Sequence, residues 1–446
     1  MSASTDTLGR RTPAANGQSR PPSPRKRSNA YLWFGAAVII AATGFFWFTS
    51  ARILSKAVEL SYGPADPAFS HTLGPLLGAD FSPDNSVEVL LNGDGIFPPM
   101  LDAIRAAKKS ITLETYIWAP GQISDRFIAA LVERARNGVH VKILVDGMGT
   151  LKFKREDGAI LRDAGVEFVT YGRKHWYEIK PNINHRTHRK ILVVDGKVGF
   201  TGGMCIDDKW SGNGDTKDVW RDTGVKVQGP VVRELQATFA ANWLQTTGEL
   251  ITGPDYFPPL PPVGPSLAQC YKSGPGENAE NARISYLLAI ASARKSIRIA
   301  HAYFVPDDLA NTMLLAAIRR GVTIDVIVPA INDSRFGRAA SRSRWGPLLA
   351  AGANFHQFLP ALFHTKIMIV DDTFVTVGSV NFDNRSFAIN DEMNLNVIDP
   401  GVAQAFLRSF EQDTINSKPL TREEFEGRSF LIKGVDWFCG LFRSQL

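Results

Sequence analysis

Two short stretches of the sequence carry a histidine, a lysine two positions later and an aspartate five positions after that. They contain His188, Lys190 and Asp195 in one case, and His364, Lys366 and Asp371 in the other. A Gly-Gly pair follows the first stretch and a Gly-Ser pair follows the second. One such triplet can arise by chance. Two buried strands, each flanked by solvated basic residues, would also give this pattern without any catalytic role. Because the triplet recurs at matched places in the chain, a shared catalytic role is favoured over these alternatives.

These residue types suit attack on a phosphodiester. Such a site needs positive donors, a nucleophile and a proton source for the leaving oxygen. One neutral imidazole can attack phosphorus while the other, protonated, donates to the departing alcohol. The lysines lie two residues along each predicted strand, so they point to the same side as the histidines. We therefore count both triplets as catalytic candidates, and we expect no metal or other cofactor.

A catalytic histidine also needs a carboxylate that fixes its orientation. Asp195 and Asp371 belong to the motif, but a four-residue apolar run separates each from its lysine, so they could instead hold the following turn. Asp222 and Glu392 open later apolar segments and are better candidates for contacting the histidines. Surface charges at strand starts are the alternative for this second pair.

The surrounding elements also recur. Ile111 corresponds to Ile297 and Gly138 to Gly321, each pair with similar flanking residues. This pattern indicates a tandem duplication of an α/β unit, with strands and helices alternating. We expect two lobes, residues 75–250 and 281–427, with mixed, largely parallel sheets flanked by helices. Seven prolines fall between residues 254 and 275, which predicts a linker over 251–280 without helix or strand.

The N-terminus has a different character. Residues 1–29 hold six basic residues and one acid, which predicts a disordered basic tail. Residues 30–51 are apolar and long enough to cross a bilayer as a helix. A cleaved signal peptide and a buried core helix are the alternatives. The excess of basic residues before the span favours a single-pass inner-membrane protein whose catalytic body is periplasmic.

Composition restricts the remaining classes. The net charge is +6, of which the tail supplies +5, so the body is nearly neutral and no nucleic-acid partner is expected. The three cysteines, Cys205, Cys270 and Cys439, show neither the spacing of a zinc site nor that of a disulfide framework.

The duplicated motifs, with "LETYIW", "AYFVPD" and "GSVNFDNRSFAINDE", resemble the phospholipase D superfamily and, within it, the bacterial cardiolipin synthase branch. The resemblance covers roughly residues 85–430. It implies a two-lobed fold, an active site at the lobe interface, and phosphatidyl transfer through a phosphatidyl-histidine. It further implies that His188 is the nucleophile, that His364 is the general acid, and that Ser379 and Asn381 contact phosphate.

The first half departs from the family pattern. Gly203 stands where the second half has Ser379, and Cys205 stands where it has Asn381. A thiol is a weak donor, so the first half is expected to offer fewer phosphate contacts.

Two further segments bear on membrane contact. Residues 428–446 place large apolar side chains among Arg428, Lys433 and Arg443, which is typical of a helix lying in a bilayer surface or of one packed on the body. Residues 334–346 carry four arginines, which could meet anionic headgroups or form a solvated loop.

The leading hypothesis is a membrane-anchored phosphatidyltransferase acting on phospholipids, with phosphatidylglycerol as the expected substrate. A phospholipase D that uses water as acceptor has the same motifs. A nuclease on this scaffold and a non-enzymatic binding module are less favoured.

Overall fold

The computed structural model describes residues 31, 33–38, 54–172, 184–276 and 278–445. The chain divides into two units, residues 1–51 and 52–446. In the first unit residues 33–38 are helical, and most of the predicted tail and membrane span lies outside the described residues. Within the described ranges, no helix has the length and apolar character needed to cross a bilayer.

The first half of the larger unit alternates strands and helices before it ends in a hairpin, a short bridge, a strand and a long helix. Its elements are α1 Pro67–Leu77, β1 Ser82–Leu91, α2 Asn92–Ala106, β2 Ser110–Thr115, α3 Gln122–Arg136, β3 His140–Asp146, α4 Arg155–Asp163, β4 Glu167–Tyr171, β5 Ile191–Val194, β6 Val198–Gly202, a 3-10 turn Asp208–Trp210, β7 Trp220–Arg221, β8 Thr223–Gln228 and α5 Val232–Thr247.

The second half follows the same order and adds elements at its C-terminal end. Its elements are β9 Ser266–Ser273, α6 Asn281–Ser292, β10 Ser296–His301, α7 Asp308–Arg319, β11 Thr323–Pro329, α8 Arg335–Arg342, α9 Gly346–Ala350, β12 Asn354–Phe358, β13 Leu362–Phe363, β14 Lys366–Val370, β15 Phe374–Gly378, α10 Asn384–Ala388, β16 Glu392–Ile398, α11 Pro400–Ile415, β17 Ser417–Leu420, α12 Arg422–Glu426, α13 Phe430–Leu441 and a 3-10 turn Arg443–Gln445.

One sheet of 15 strands runs through both halves of the described chain, in the order β17-β12-β11-β10-β14-β15-β16-β9-β1-β8-β6-β5-β2-β3-β4. β1 and β9 pair at its centre, and the strands on either side follow in corresponding order. The expectation of separate lobe sheets is therefore wrong. The two halves share a continuous hydrogen-bonded layer.

The expectation of largely parallel pairing is also wrong. Only β2-β3-β4 and β10-β11-β12 pair in parallel in this sheet. The motif strands instead form tight hairpins, β5-β6 and β14-β15, which must be antiparallel. Asp195, Gly196, Asp371 and Asp372 all have positive φ in these turns. Aspartate and glycine tolerate this backbone conformation better than most residues.

The Pro-rich interval is not a structureless linker throughout. Residues 266–273, inside the expected linker 251–280, form β9 and pair with β16 over seven residues. Six of the seven prolines precede Ser266 and the last is Pro275, so the strand keeps its backbone N–H donors.

Helices cover both faces of the sheet. Ile299 and Ala300, neighbours on β10, belong to different apolar clusters, because adjacent strand residues point to opposite faces. α5 and α11 pack on one face across the two halves. α2 and α3 cover the other face in the first half, and α6 and α7 cover it in the second.

Candidate active site

The two motif histidines line one cavity of about 450 Å³. His188 lies three residues before β5, and His364 lies between β13 and β14. Both side chains are only 11–12% exposed, so they reach the cavity from a buried setting. The cavity is therefore built from both halves of the chain.

Backbone hydrogen bonds fix each histidine against the opposite half. The N–H of His188 donates to the carbonyl of Asp391 over 2.8 Å, and the N–H of His364 donates to the carbonyl of Arg221 over 2.8 Å. Asp391 immediately precedes Glu392, and Arg221 immediately precedes Asp222. The backbone at each histidine therefore lies beside the residue that precedes the carboxylate of the other half.

The side chains cross in the same way. His188 Nδ1 lies 2.9 and 3.0 Å from the two carboxylate oxygens of Glu392. His364 Nδ1 lies 2.8 Å from Asp222 Oδ2. Since an ionised carboxylate only accepts hydrogen bonds, each Nδ1 carries the proton and Nε2 remains for chemistry. The sequence indicated these contacts but gave no sign that they join opposite halves.

Each carboxylate has additional donors, which differ between the halves. Trp210 Nε1 donates to Asp222 Oδ2 over 2.8 Å. Ser386 Oγ donates to Glu392 Oε1 over 2.8 Å, and Ser379 Oγ donates to Glu392 Oε2. Trp210 follows Gly203 by seven residues, as Ser386 follows Ser379, so the two donors occupy matched positions.

A steric constraint explains why position 203 is a glycine. A Cβ at this position would lie 2.4 Å from Asp222 Oδ1. Asp222 is one carbon shorter than Glu392, and the missing side chain at 203 lets its carboxylate occupy the space that the Ser379 side chain takes in the other half. The serine-to-glycine difference is thus linked to the change from glutamate to aspartate.

Burial lowers the pKa of both histidines. Desolvation is the main cause for His188, and Glu392 partly opposes it. For His364 desolvation and the nearby Lys366 cation lower the pKa, while Asp222 opposes them. Both imidazoles are therefore neutral near pH 7, as a nucleophile requires. A bound phosphodiester anion would favour the protonated form that a general acid requires.

The carboxylates keep their charge despite complete burial. Burial alone would raise the pKa of Asp222, but His364 and Lys366 bring it below the usual value. The pKa of Glu392 is likewise lowered by His188 and Lys190 against the effect of burial. The negative charges beside Nδ1 are therefore present at neutral pH.

The two lysines are buried beside their histidines. Lys366 Nζ lies 3.2 Å from His364 Nε2 and donates to the His364 carbonyl over 2.6 Å. Lys190 Nζ donates to the His188 carbonyl and lies 5.5 Å from the centre of the Tyr116 ring. Desolvation lowers the pKa of Lys190, and it lowers that of Lys366 to about 8. Neither lysine is among the residues that line the catalytic cavity, so contact with a bound phosphate is a proposal that variants must test.

Asn381 and Cys205 occupy matched positions and both line the cavity. Within the described residues, Asn381 Oδ1 is buried without a hydrogen-bond partner. Ser379 does not line the cavity and instead supports Glu392 and the backbone of Met393.

Asp195 and Asp371 do not line the cavity, and each instead holds a turn, which is the alternative that their spacing allowed. Asp195 accepts hydrogen bonds of 2.7–3.1 Å from the backbone N–H groups of residues 108–110. Asp371 accepts equivalent bonds of 2.7–3.0 Å from residues 294–296. Each lies at the far end of its motif strand and secures the helix-to-strand turn before β2 or β10.

Several cavity residues were not singled out from the sequence. Tyr116 and Tyr303 lie 187 positions apart in corresponding segments, a signal that the duplication already contained. Trp210 and Trp220 have ring centroids 5.3 and 5.1 Å from that of His364. Arg186 and Arg385 add positive charge to the wall. In the part of the chain that the structure describes, no group of three His, Cys, Asp or Glu side chains is placed to hold a metal ion.

A family model described as cardiolipin synthase, phospholipase D-like domain matches residues 100–243 and 286–414. The chain therefore belongs to this family of the phospholipase D superfamily, as the motifs indicated, and it is an enzyme of that superfamily.

Individual relatives agree with the family match. Cardiolipin synthase 1 of Bacillus cereus is 33% identical over 369 residues, covering 81% of this chain and 72% of the relative. The major cardiolipin synthase of Bacillus subtilis is 32% identical over 357 residues, covering 80% and 74%. A crystal structure of phosphatidylserine synthase from Haemophilus influenzae covers 83% of this chain and 98% of its own, with 14% identity and a TM-score of 0.61. This last likeness concerns the fold alone.

Proposed function

We propose that the protein is a phosphatidyltransferase that makes cardiolipin from phosphatidylglycerol through a phosphatidyl-histidine at His188. The observation that carries this proposal is the pair of neutral, carboxylate-bound histidines lining one cavity. Membership of the cardiolipin synthase family supports the choice of a phospholipid as donor.

The first step forms a P–N bond. Nε2 of His188 attacks the phosphorus of the donor lipid, the P–O bond to the glycerol headgroup breaks, and His364 gives its proton to the leaving oxygen. Lys190 and Lys366 hold the non-bridging oxygens as their negative charge grows. Glu392 and Asp222 stabilise the positive charge on each imidazole through Nδ1–H.

The second step reverses the proton transfer. The acceptor hydroxyl loses its proton to His364 and attacks phosphorus, and the P–N bond to His188 breaks. If the acceptor is a second phosphatidylglycerol, the product is cardiolipin. If it is water, the product is phosphatidic acid, and the enzyme is a phospholipase D.

Product analysis separates these outcomes. Purified protein in phosphatidylglycerol vesicles should release glycerol and form cardiolipin, detected by lipid mass spectrometry. Phosphatidic acid as the main product would replace the transferase with the hydrolase. Cleavage of nucleic acid without either lipid product would remove the lipid proposal.

Variants test the residue roles. His188→Ala and His364→Ala should each abolish turnover without loss of folding. Lys190→Ala should cost on the order of 3 kcal/mol of transition-state stabilisation. Mass spectrometry of His364→Ala protein, incubated with a phosphatidyl ester of a good leaving group, should find the phosphatidyl adduct on His188. An adduct on another residue would reject that nucleophile.

The membrane anchor is also part of the proposal. Residues 30–51 supply a single-pass span on sequence grounds, with the basic tail inside and the catalytic body on the periplasmic side. Protease added to intact spheroplasts should digest the body, and resistance there with digestion after lysis would reverse the orientation.

A further inference from the structure

The C-terminal helix α13 buries a narrow face and leaves most of its large apolar side chains exposed. Asp436 is 2% exposed and faces the body, as do Cys439 and Gly440. The exposed side carries Phe430, 80% exposed, and Trp437, 66% exposed, together with Leu431, Val435, Phe438 and Phe442. A helix on a water-exposed surface normally has the opposite arrangement.

Specific contacts hold the helix in this orientation. The Asp436 carboxylate pairs with Arg342 at 2.7 Å and also with Arg428. A Cβ on Gly440 would lie 2.7 Å from Ser343 Oγ, so the absent side chain lets α13 approach α8 closely. Because its underside is anchored to the body, the helix cannot rotate its aromatic side into the core.

Cations surround the exposed apolar surface. A cavity of about 290 Å³ next to α13 is lined by Arg342, Arg344, Arg428, Lys433 and Arg443, with Trp437 and Leu441 beside them. Asp436 and Asp308 are the carboxylates that pair with these cations. Five cations against two carboxylates leave an excess of positive charge beside an aromatic face, which is the composition of an in-plane membrane helix.

This surface lies beside the catalytic cavity. Asn384, the first residue of α10, donates to the carbonyl of Arg443, and the next residue, Arg385, lines the catalytic cavity. α8, on which α13 packs, begins directly after Asp333 and Ser334, which line the same cavity. A bilayer that meets α13 would therefore lie next to residues that adjoin the wall of the catalytic cavity.

We propose that residues 428–445 form a docking surface for an anionic lipid bilayer, with the apolar side of α13 inserted and the basic cavity holding an anionic headgroup. The docking would present lipid to the catalytic cavity, and in that respect the inference rests on the proposed function. Bilayer contact itself does not depend on catalysis and can be measured separately.

The first test measures insertion depth in the full chain. A spin label at Val435→Cys is compared with one at Gln404→Cys, an exposed position on α11. The protein is reconstituted in nanodiscs of phosphatidylglycerol and phosphatidylethanolamine, or of phosphatidylcholine alone. The label at 435 should become more accessible to oxygen than to a water-soluble nickel chelate in the anionic discs, and the label at 404 should not change.

Two results would overturn the proposal. One is a label at 435 that stays as water-accessible as the label at 404 in anionic discs. The other is dipolar broadening between labels at 435, which would show that a second copy of the chain covers the surface. Neither result concerns the chemistry at His188, so both are distinguishable from failure of the proposed function.

The second test compares substrate forms. The double substitution Trp437→Ser and Phe438→Ser should lower turnover of phosphatidylglycerol in vesicles about tenfold and leave turnover of a monomeric short-chain analogue unchanged. Ile415→Ser, which removes an apolar side chain that is 75% exposed on α11, is the matched control and should change neither. Equal losses on both substrates would assign the aromatic residues to folding and reject docking.

Discussion

The crossed pairing of carboxylates and histidines makes a prediction that distinguishes the two halves. Asp222→Asn should impair the proposed general acid, His364, although Asp222 follows His188 in the sequence. Glu392→Gln should impair the proposed nucleophile, His188. Both substitutions keep the shape of the side chain and remove its negative charge, so folding should be preserved.

The size of the effect follows from the geometry. Asp222 Oδ2 accepts from both His364 Nδ1 and Trp210 Nε1. An asparagine has one acceptor oxygen and no charge, so it cannot stabilise the imidazolium in the same way. A hydrogen bond to a charged group contributes roughly 1.5–3 kcal/mol, and complete burial of Asp222 prevents screening by water. Turnover of phosphatidylglycerol should fall about 10- to 150-fold.

The assay uses the acidity of the leaving group. A phosphatidyl ester of nitrophenol needs little help from a general acid, so single-turnover release of nitrophenol reports mainly on the nucleophile. Asp222→Asn should approach the wild-type rate with this ester, while Glu392→Gln should remain slow with both substrates. The reverse pattern, or equal losses with both substrates, would refute the assignment of roles across the halves.

Three further predictions concern residues around the site. Gly203→Ser should lower turnover at least tenfold, because the new Cβ would displace the Asp222 carboxylate. The control is Gly95→Ala on α2, where a Cβ meets nothing closer than 4.0 Å, and it should keep the wild-type rate in the same lipid assay. Asp195→Asn should lower the free energy of unfolding, measured with urea, by about 1–3 kcal/mol, because one amide oxygen must replace a carboxylate that accepts from three N–H donors. A loss of kcat in the folded protein would contradict this role. Burial holds the pKa of His301 well below its value in the unfolded chain, so on acidification only the unfolded state takes up the proton and stability falls. His301→Phe should therefore reduce the loss of stability between pH 7 and pH 5. An unchanged dependence of the unfolding free energy on pH would contradict this prediction.

Much of the site could be predicted from the sequence because local spacing carries the information. A histidine and a lysine two residues apart on an extended segment face the same side whatever the fold, and their recurrence identified them. Glu392 and Asp222 were found because each opens an apolar segment after the motif. The turn role of Asp195 was also one of two alternatives that its spacing allowed.

Other features depend on contacts between residues that are distant in the sequence. The hairpins that make the sheet mostly antiparallel depend on positive φ at Asp195 and Asp371, which the apolar pattern of the strands does not encode. The role of β9 depends on its pairing with β1 and β16, although it lies within a Pro-rich interval. The role of Trp210 depends on the hydrogen bond that its indole donates to Asp222.

The sequence by itself determined which side chains are candidates for the proposed chemistry, because residue types and their repeated spacing are local properties that do not depend on how the halves are arranged. Only the tertiary structure decided which carboxylate serves which histidine. That choice depends on the backbone bonds from His188 to Asp391 and from His364 to Arg221, which span about 200 and 140 residues. It also decided the outward direction of the α13 aromatic residues, since the ion pair of Asp436 with Arg342 fixes the rotation of that helix.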